Sequence, residues 1–140
     1  MTFNYPAKIT LSEKDNVYEV TFPDLPGCIT YGETFEEARQ QAAEALTGYL
    51  ESVLSREIEF QGPSAISGDV YEIEPEKHVA FALWLRRKRK EAGMTQSDAA
   101  AKLGVKYQVY QRLEDPRRSN PTLKTIEKLE RVFGSRILAV

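Results

Sequence analysis

Cysteine occurs once in these 140 residues, at Cys28, so no internal disulfide can form and nothing in the composition asks for an oxidising compartment. Histidine also occurs once, at His78, which rules out a multi-histidine metal cluster and leaves no imidazole beside a candidate nucleophile. Long apolar runs are missing as well: no window approaches the roughly 20 apolar residues of a membrane span. The opening stretch MTFNYPAKITLSEKD has no basic start followed by an apolar run, the pattern of a secretory signal. These absences lead to the expectation of a soluble, unprocessed, cytoplasmic chain with no membrane partner, metal or cofactor. Net charge is small too, −2 at neutral pH, and as a whole-chain figure it points to neither nucleic acid nor membrane.

What the chain does have is a separation of charge. Residues 1–74 carry four basic side chains, Lys8, Lys14, Arg39 and Arg56, against fourteen acidic ones, a net −10. Residues 75–140 carry fifteen basic and seven acidic side chains, a net +8. A reversal of that size within one chain points to two surfaces with different partners. With 41% hydrophobic residues the chain can bury two small cores, and the expected domains are 1–74 and 75–140.

In the front half, Ala7-Lys8-Ile9-Thr10-Leu11 and Val17-Tyr18-Glu19-Val20-Thr21-Phe22 alternate apolar with polar residues on either side of the turn-like Ser12–Asn16, which predicts a β-hairpin. Pro23-Asp24-Leu25-Pro26-Gly27 interrupts the chain before a short third strand around Cys28–Tyr31. Phe35, Ala38, Ala42, Leu46, Tyr49, Leu50 and Val53 then recur at helical spacing, predicting an amphipathic helix that covers the meander. Thr34 and Glu37 have capping-box spacing at its start. Gln61–Gly68 reads as loop, and Val70–Ile73 alternates as one more strand, giving a βββαβ unit. From Pro75, placed in the first turn of the next helix, the pattern is helices only, with a stripe of Val79, Leu83 and Leu85 ending at Gly93. The expected fold class is α+β, an all-α domain following a mixed one.

Thr95 is positioned to cap a short helix that Gly104 stops, and a second helix starts after Val105. Two short helices joined by a glycine-containing turn make a helix-turn-helix, with Ala99 and Ala100 small enough for close approach. Arg89, Gly93, Thr95, Gln96, Ala100, Gly104, Val105 and Glu114 together resemble the pattern of the Xre/Cro class of repressors. That resemblance implies a phosphate contact for Gln96 and an ion pair between Arg89 and Glu114 that locks the first helix to the recognition helix. The sequence departs from the class at Ala99, usually leucine, and at Tyr110-Gln111, usually Ile-Ser, so Tyr110 is expected to face the core and fill the volume Ala99 leaves. Lys106, Tyr107, Gln108, Gln111 and Arg112 are the expected base-reading residues, since they lie toward the N-terminal side of the recognition helix. Their chemistry suits guanine, adenine and thymine edges in the major groove. Arg117, Arg118 and Ser119 follow in the loop where the resembling repressors touch phosphates. Pro121-Thr122 opens a last helix with a core stripe of Leu123, Ile126, Leu129 and Phe133.

In the front half, the run Tyr18-x-Val20-x-Phe22-Pro23-Asp24-Leu25-Pro26-Gly27-Cys28-x-Thr30-x-Gly32-x-Thr34-x-Glu36-Glu37-Ala38 resembles the antitoxin domain of the HicB family. The resemblance implies a partial ribonuclease-H-like βββαβ domain that binds and blocks a small basic HicA-like toxin, an RNA-cleaving protein. It also implies that the helix-turn-helix represses the toxin–antitoxin operon through double-stranded operator DNA. A net −10 is suited to a cationic partner, and Tyr5, Leu25 and Tyr31 are the expected exposed apolar anchors for it.

A ribonuclease-H-like fold raises the question of metal catalysis, which needs several carboxylates converging on Mg²⁺. Asp24, Glu19, Asp69 and Glu72 read instead as the solvated surface of an acidic domain, and Cys28, with no basic neighbour, as a structural thiol. The expectation is a binding protein with no catalytic or metal-binding residue. The alternative reading is a repressor whose front domain senses a small molecule. Helix-turn-helix proteins read pseudo-palindromes as dimers, so a homodimer or higher homo-oligomer is expected, with the apolar tail Arg136–Val140 pairing with its symmetry mate.

Overall fold

Alternating side chains over Tyr5–Ser12 (β1) and Val17–Thr21 (β2) form an antiparallel hairpin in which Ile9 faces Val20 and Leu11 faces Tyr18. A computed structural model describes residues 3–56 and 58–137. The chain folds as two units, one ending at Glu76 and the other beginning at Lys77. The architecture is mixed α+β, a four-stranded sheet with one helix followed by helices alone.

In the front unit, Asn16 takes a positive φ of 54° in the β1–β2 turn, a conformation asparagine tolerates better than most residues. Ile29–Gly32 (β3) pairs antiparallel with β2, and Tyr71–Ile73 (β4) pairs antiparallel with β1, giving the order β3-β2-β1-β4. The sheet is covered on one face by Phe35–Ser55 (α1), which buries Ala38, Ala42, Leu46, Leu50 and Val53. Tyr49, expected in that stripe, is half-buried and donates its hydroxyl to the Pro26 carbonyl at 3.3 Å. Thr34 Oγ1 accepts the Glu37 N–H at 3.1 Å, but Glu37 does not return the bond, so this start is a simple N-cap. Gly32 is fixed by proximity: a Cβ there would lie 2.3 Å from the Ala38 backbone nitrogen.

The Gln61–Gly68 stretch carries no helix or strand, yet it is tied to the core. Tyr5 donates its hydroxyl to the Gln61 carbonyl at 2.9 Å, Gln61 Nε2 donates to Asp24 Oδ1 at 3.0 Å, and the Ser64 N–H donates to Asp24 Oδ2 at 2.8 Å. Asp24 is therefore a buried fastener rather than the surface carboxylate expected of it.

The second unit contains Lys77–Glu91 (α2), Gln96–Leu103 (α3), Tyr107–Glu114 (α4) and Leu123–Phe133 (α5). Pro75 lies before α2 rather than in its first turn. Gly93, at φ 67°, ends α2 with its N–H on the Lys90 carbonyl at 3.0 Å and the Met94 N–H on the Arg89 carbonyl at 3.1 Å. Gly104, at φ 77°, closes α3 the same way, through the Gly104 N–H to Ala101 and the Val105 N–H to Ala100. Phe81, Trp84, Leu85, Ala99, Ala100, Leu103, Tyr110, Leu113, Ile126, Leu129 and Ile137 form one core cluster. Phe133 joins it half-buried, edge-on to Trp84 with ring centroids 6.4 Å apart.

Two expectations for this unit are corrected. Leu123 is 69% exposed, because at the first position of α5 it sits one turn ahead of Ile126 and overshoots the cluster. Ile137, expected in an apolar tail free to pair, is buried in the cluster of its own unit, and its N–H donates to Glu130 Oε2 at 2.8 Å. The rest of the expected pairing segment, Leu138–Val140, lies outside the described residues. No helix among the described residues is long and apolar enough to cross a membrane.

Candidate nucleic-acid interface

The second helix of a helix-turn-helix can enter a groove only if its outer face is free and its inner face is fixed. In α4 the fixed face is Tyr110, Leu113 and Glu114, all buried. Tyr110 is fully buried against a core that includes Ala99, where a leucine would compete for the same space. Burial, with Glu114 beside it adding to the effect, pushes the Tyr110 phenol far above its ordinary range, so it stays neutral.

The central fastening is an ion pair. Arg89 of α2 meets Glu114 of α4 in a two-pronged contact, Nε to Oε2 at 2.6 Å and Nη2 to Oε1 at 3.1 Å, and Arg89 Nη1 also reaches the Met94 carbonyl at 2.9 Å. The Glu114 side chain is only 4% exposed and that of Arg89 12%, so solvent screens the pair weakly. The hydrogen bonds to Glu114 raise the Arg89 pKa above its ordinary value, against the lowering effect of burial.

A second chain of bonds runs from the same carboxylate to the outer surface. Gln96 Nε2 donates to Glu114 Oε1 at 3.2 Å, and the Tyr107 hydroxyl donates to Gln96 Oε1 at 3.1 Å. Gln96, expected only as a phosphate contact, thus joins the buried ion pair to the first residue of α4 and keeps one amide N–H uncommitted by these bonds. Thr95 and Asp98 form a reciprocal capping box at the start of α3, with bonds of 3.0 Å in both directions. The bond from the Thr95 backbone N–H is the main reason the Asp98 pKa lies below its ordinary value.

Lys106, Tyr107, Gln108, Gln111 and Arg112 are all exposed on one short helix and its cap. Val109, absent from the expected set, is 42% exposed among them, and an apolar group there is suited to a thymine methyl. Its signal in the sequence was a valine outside the buried stripe. Arg112 and Arg118 line a groove of about 320 Å³ together with Val109, Asn120, Thr122 and Lys128. Lys128 was missed because it lies in α5, remote in sequence from the recognition helix. Arg117 is exposed, with its backbone N–H held by Asp115 Oδ1 at 3.0 Å. Ser119 is corrected: it is buried, its N–H turned into the loop toward the Asp115 carbonyl at 2.8 Å, so its hydroxyl is not presented to a phosphate.

Of the three anchors expected in the front unit, Tyr31 is 63% exposed, while Tyr5 and Leu25 are corrected to core. Tyr5 lies on the covered face of β1, and burial drives its phenol far above the ordinary range. Leu25 is turned inward by a tight bend, its N–H bonded to the Phe22 carbonyl and its carbonyl to the Cys28 N–H, both at 3.0 Å. Cys28 is buried, and that burial pushes its thiol up to about 11, which leaves it protonated and unreactive at neutral pH.

A family model described as the HicB-like antitoxin of bacterial toxin–antitoxin systems matches residues 5–85, more than half of the chain. The chain belongs to the HicB-like antitoxin family. A helix-turn-helix model matches residues 85–139, so the family's antitoxin region is joined here to a DNA-binding one. Antitoxin HicB 1 of Photorhabdus laumondii is 28% identical over 133 residues, covering 95% of this chain and 83% of that protein. Two shorter relatives match smaller parts. A UPF0150 protein of Thermoplasma acidophilum is 42% identical over 45 residues, 32% of this chain and 65% of its own length. A UPF0150 protein of Synechocystis is 40% identical over 53 residues, 38% of this chain and 66% of its own length.

Proposed function

We propose that this chain is the antitoxin of a type II toxin–antitoxin system, neutralising a small HicA-like RNA-cleaving toxin through its front unit. Its helix-turn-helix represses the operon that encodes both proteins, in the cytoplasm, by binding operator DNA as a homodimer or higher homo-oligomer. The observation that carries this reading is the joining of a HicB-like match over residues 5–85 to a helix-turn-helix whose recognition helix is locked inside and basic outside. On this reading Lys106, Gln108, Gln111 and Arg112 read base edges, and Val109 adds an apolar contact. Tyr107 is held at the groove by Gln96, while Gln96, Arg117, Arg118 and Lys128 meet phosphates and set the register.

The role is binding rather than catalysis, and the domains are a toxin-binding front unit and a DNA-binding rear unit. Both Asp24 oxygens are occupied by neutral donors, which supports a structural role for the carboxylate best placed to raise suspicion of nuclease chemistry. Co-expression with the adjacent open reading frame, followed by purification, is expected to yield a complex with a small basic chain, and the complex to shift DNA from its own promoter. Recovery of the antitoxin alone, with no rescue of growth when both are induced, would refute the neutralising role.

A further inference from the structure

We propose that the uncovered face of the front unit's sheet, centred on Ile29 and Tyr31 of the edge strand β3, is the surface that takes up the basic toxin. This inference rests on the antitoxin reading above. Strand register decides which side chains share that face. Val20 is fully buried and pairs with Ile9 and Thr30, so Ile29 and Tyr31, the alternate residues of β3, point to the opposite side. There they are 66% and 63% exposed, the most exposed large apolar side chains described in this unit. Isolated apolar residues on a surface need no explanation, but two on one row of an edge strand form a patch.

Among the described residues no strand pairs with the outer edge of β3. In the order β3-β2-β1-β4, β3 has a strand neighbour on one side only. Its sequence Ile29-Thr30-Tyr31-Gly32 contains no charge and no proline, the usual means of blunting an edge. The strand is nevertheless held firmly, since Gly32 lies against the start of α1 too closely for any side chain. Anchors on a fixed strand cost little ordering entropy on binding.

Charge selects the occupant. Glu19 stands opposite Tyr31 across the β2–β3 pair, and the exposed Glu33 and Glu36 follow the end of β3. Lys8, aligned through Thr21 with Ile29, is the single cation among the strand residues on this face. A second copy would bring a net −10 against its like, whereas a basic protein gains from the acidic rim while its own apolar surface covers Ile29 and Tyr31. The partner that fits is therefore a small cationic protein, not a further copy of this chain.

The test uses the full-length chain co-expressed with the small basic chain encoded beside it. Ile29→Lys combined with Tyr31→Ala is expected to weaken retention of that partner by about 30-fold or more, with promoter DNA binding and thermal melting unchanged. In parallel, a photo-crosslinking phenylalanine analogue at position 31 is expected to join covalently to the partner, and the same group at Glu44, on the exposed side of α1, is expected not to. Retention equal to wild type, or cross-linking from position 44 alone, overturns the choice of face while leaving the antitoxin reading in place. Cross-links from position 31 between two copies of this chain assign the face to self-association and overturn it too. Failure of the unmodified chain to retain the basic partner overturns the antitoxin reading and the inference with it.

Discussion

Each unit buries one carboxylate among its described residues, Asp24 in front and Glu114 behind, and the two are satisfied in opposite ways. Asp24 takes a side-chain amide and a backbone N–H, both neutral, and so pins a loop without a cationic partner among these bonds. Glu114 is neutralised by Arg89 and takes Gln96 as a further donor, pinning three helices together. The contrast follows the composition. With four cations in residues 1–74, the front half satisfies its buried carboxylate with neutral donors. With fifteen in residues 75–140, the rear half sets Arg89 against Glu114 in its core and pairs Arg87, Lys88 and Arg131 with Glu91 and Glu127 on its surface.

The contrast can be broken by truncating each carboxylate. Glu114→Ala leaves Arg89 buried and unpaired and is expected to destabilise the rear unit by about 3–5 kcal/mol, read as loss of its unfolding transition at ordinary temperatures. Asp24→Ala removes two hydrogen bonds to a charged group and is expected to cost the front unit less, about 1.5–3 kcal/mol. Limited proteolysis should then cut within Gln61–Gly68. Equal costs for the two variants in denaturant titrations would remove the distinction between a neutral-donor site and an ion pair.

Smaller effects sharpen it. Arg112→Ala is expected to weaken operator binding by about 1–3 kcal/mol and relax preference at the bases it reads, whereas Lys128→Ala is expected to weaken all sequences alike and lower the salt slope by about 1. Fluorescence anisotropy across a salt series separates them. Thr95→Ala removes the α3 cap and is expected to cost about 1 kcal/mol in thermal melts. Asp98 adds a pH dependence of known sign: its folded pKa is lowered, so its contribution is complete above the ordinary carboxylate value of about 4 and disappears as pH falls through the folded one. The stability gap between wild type and Asp98→Ala should therefore close on acidification; a gap that widened would reverse the assignment.

Much of the architecture was legible because periodicity, caps and glycines act locally. The strands, the long helix, the stops at Gly93 and Gly104 and the inward turn of Tyr110 all follow from residues close in sequence. What escaped depends on distance along the chain. Tyr5 and Leu25 have the composition of exposed anchors, and only the sheet's covering and the bend after Phe22 show them to be core. Gln96 carries a polar side chain at a helix start, which suggests a phosphate; its bonds to Glu114 and Tyr107 span 18 and 11 residues and appear only in three dimensions. Lys128 and Val109 were hidden for similar reasons, one in a later helix and the other in a residue type that suggests core.

Separability of the two halves is tested most directly by measuring toxin capture with the full-length chain carrying Lys106→Ala, Gln108→Ala and Arg112→Ala. The predicted result is a toxin complex recovered at the wild-type stoichiometry from a protein that no longer shifts its promoter DNA. Loss of the toxin from that variant, with its fold intact by circular dichroism, would contradict the assignment of the two partners to two units.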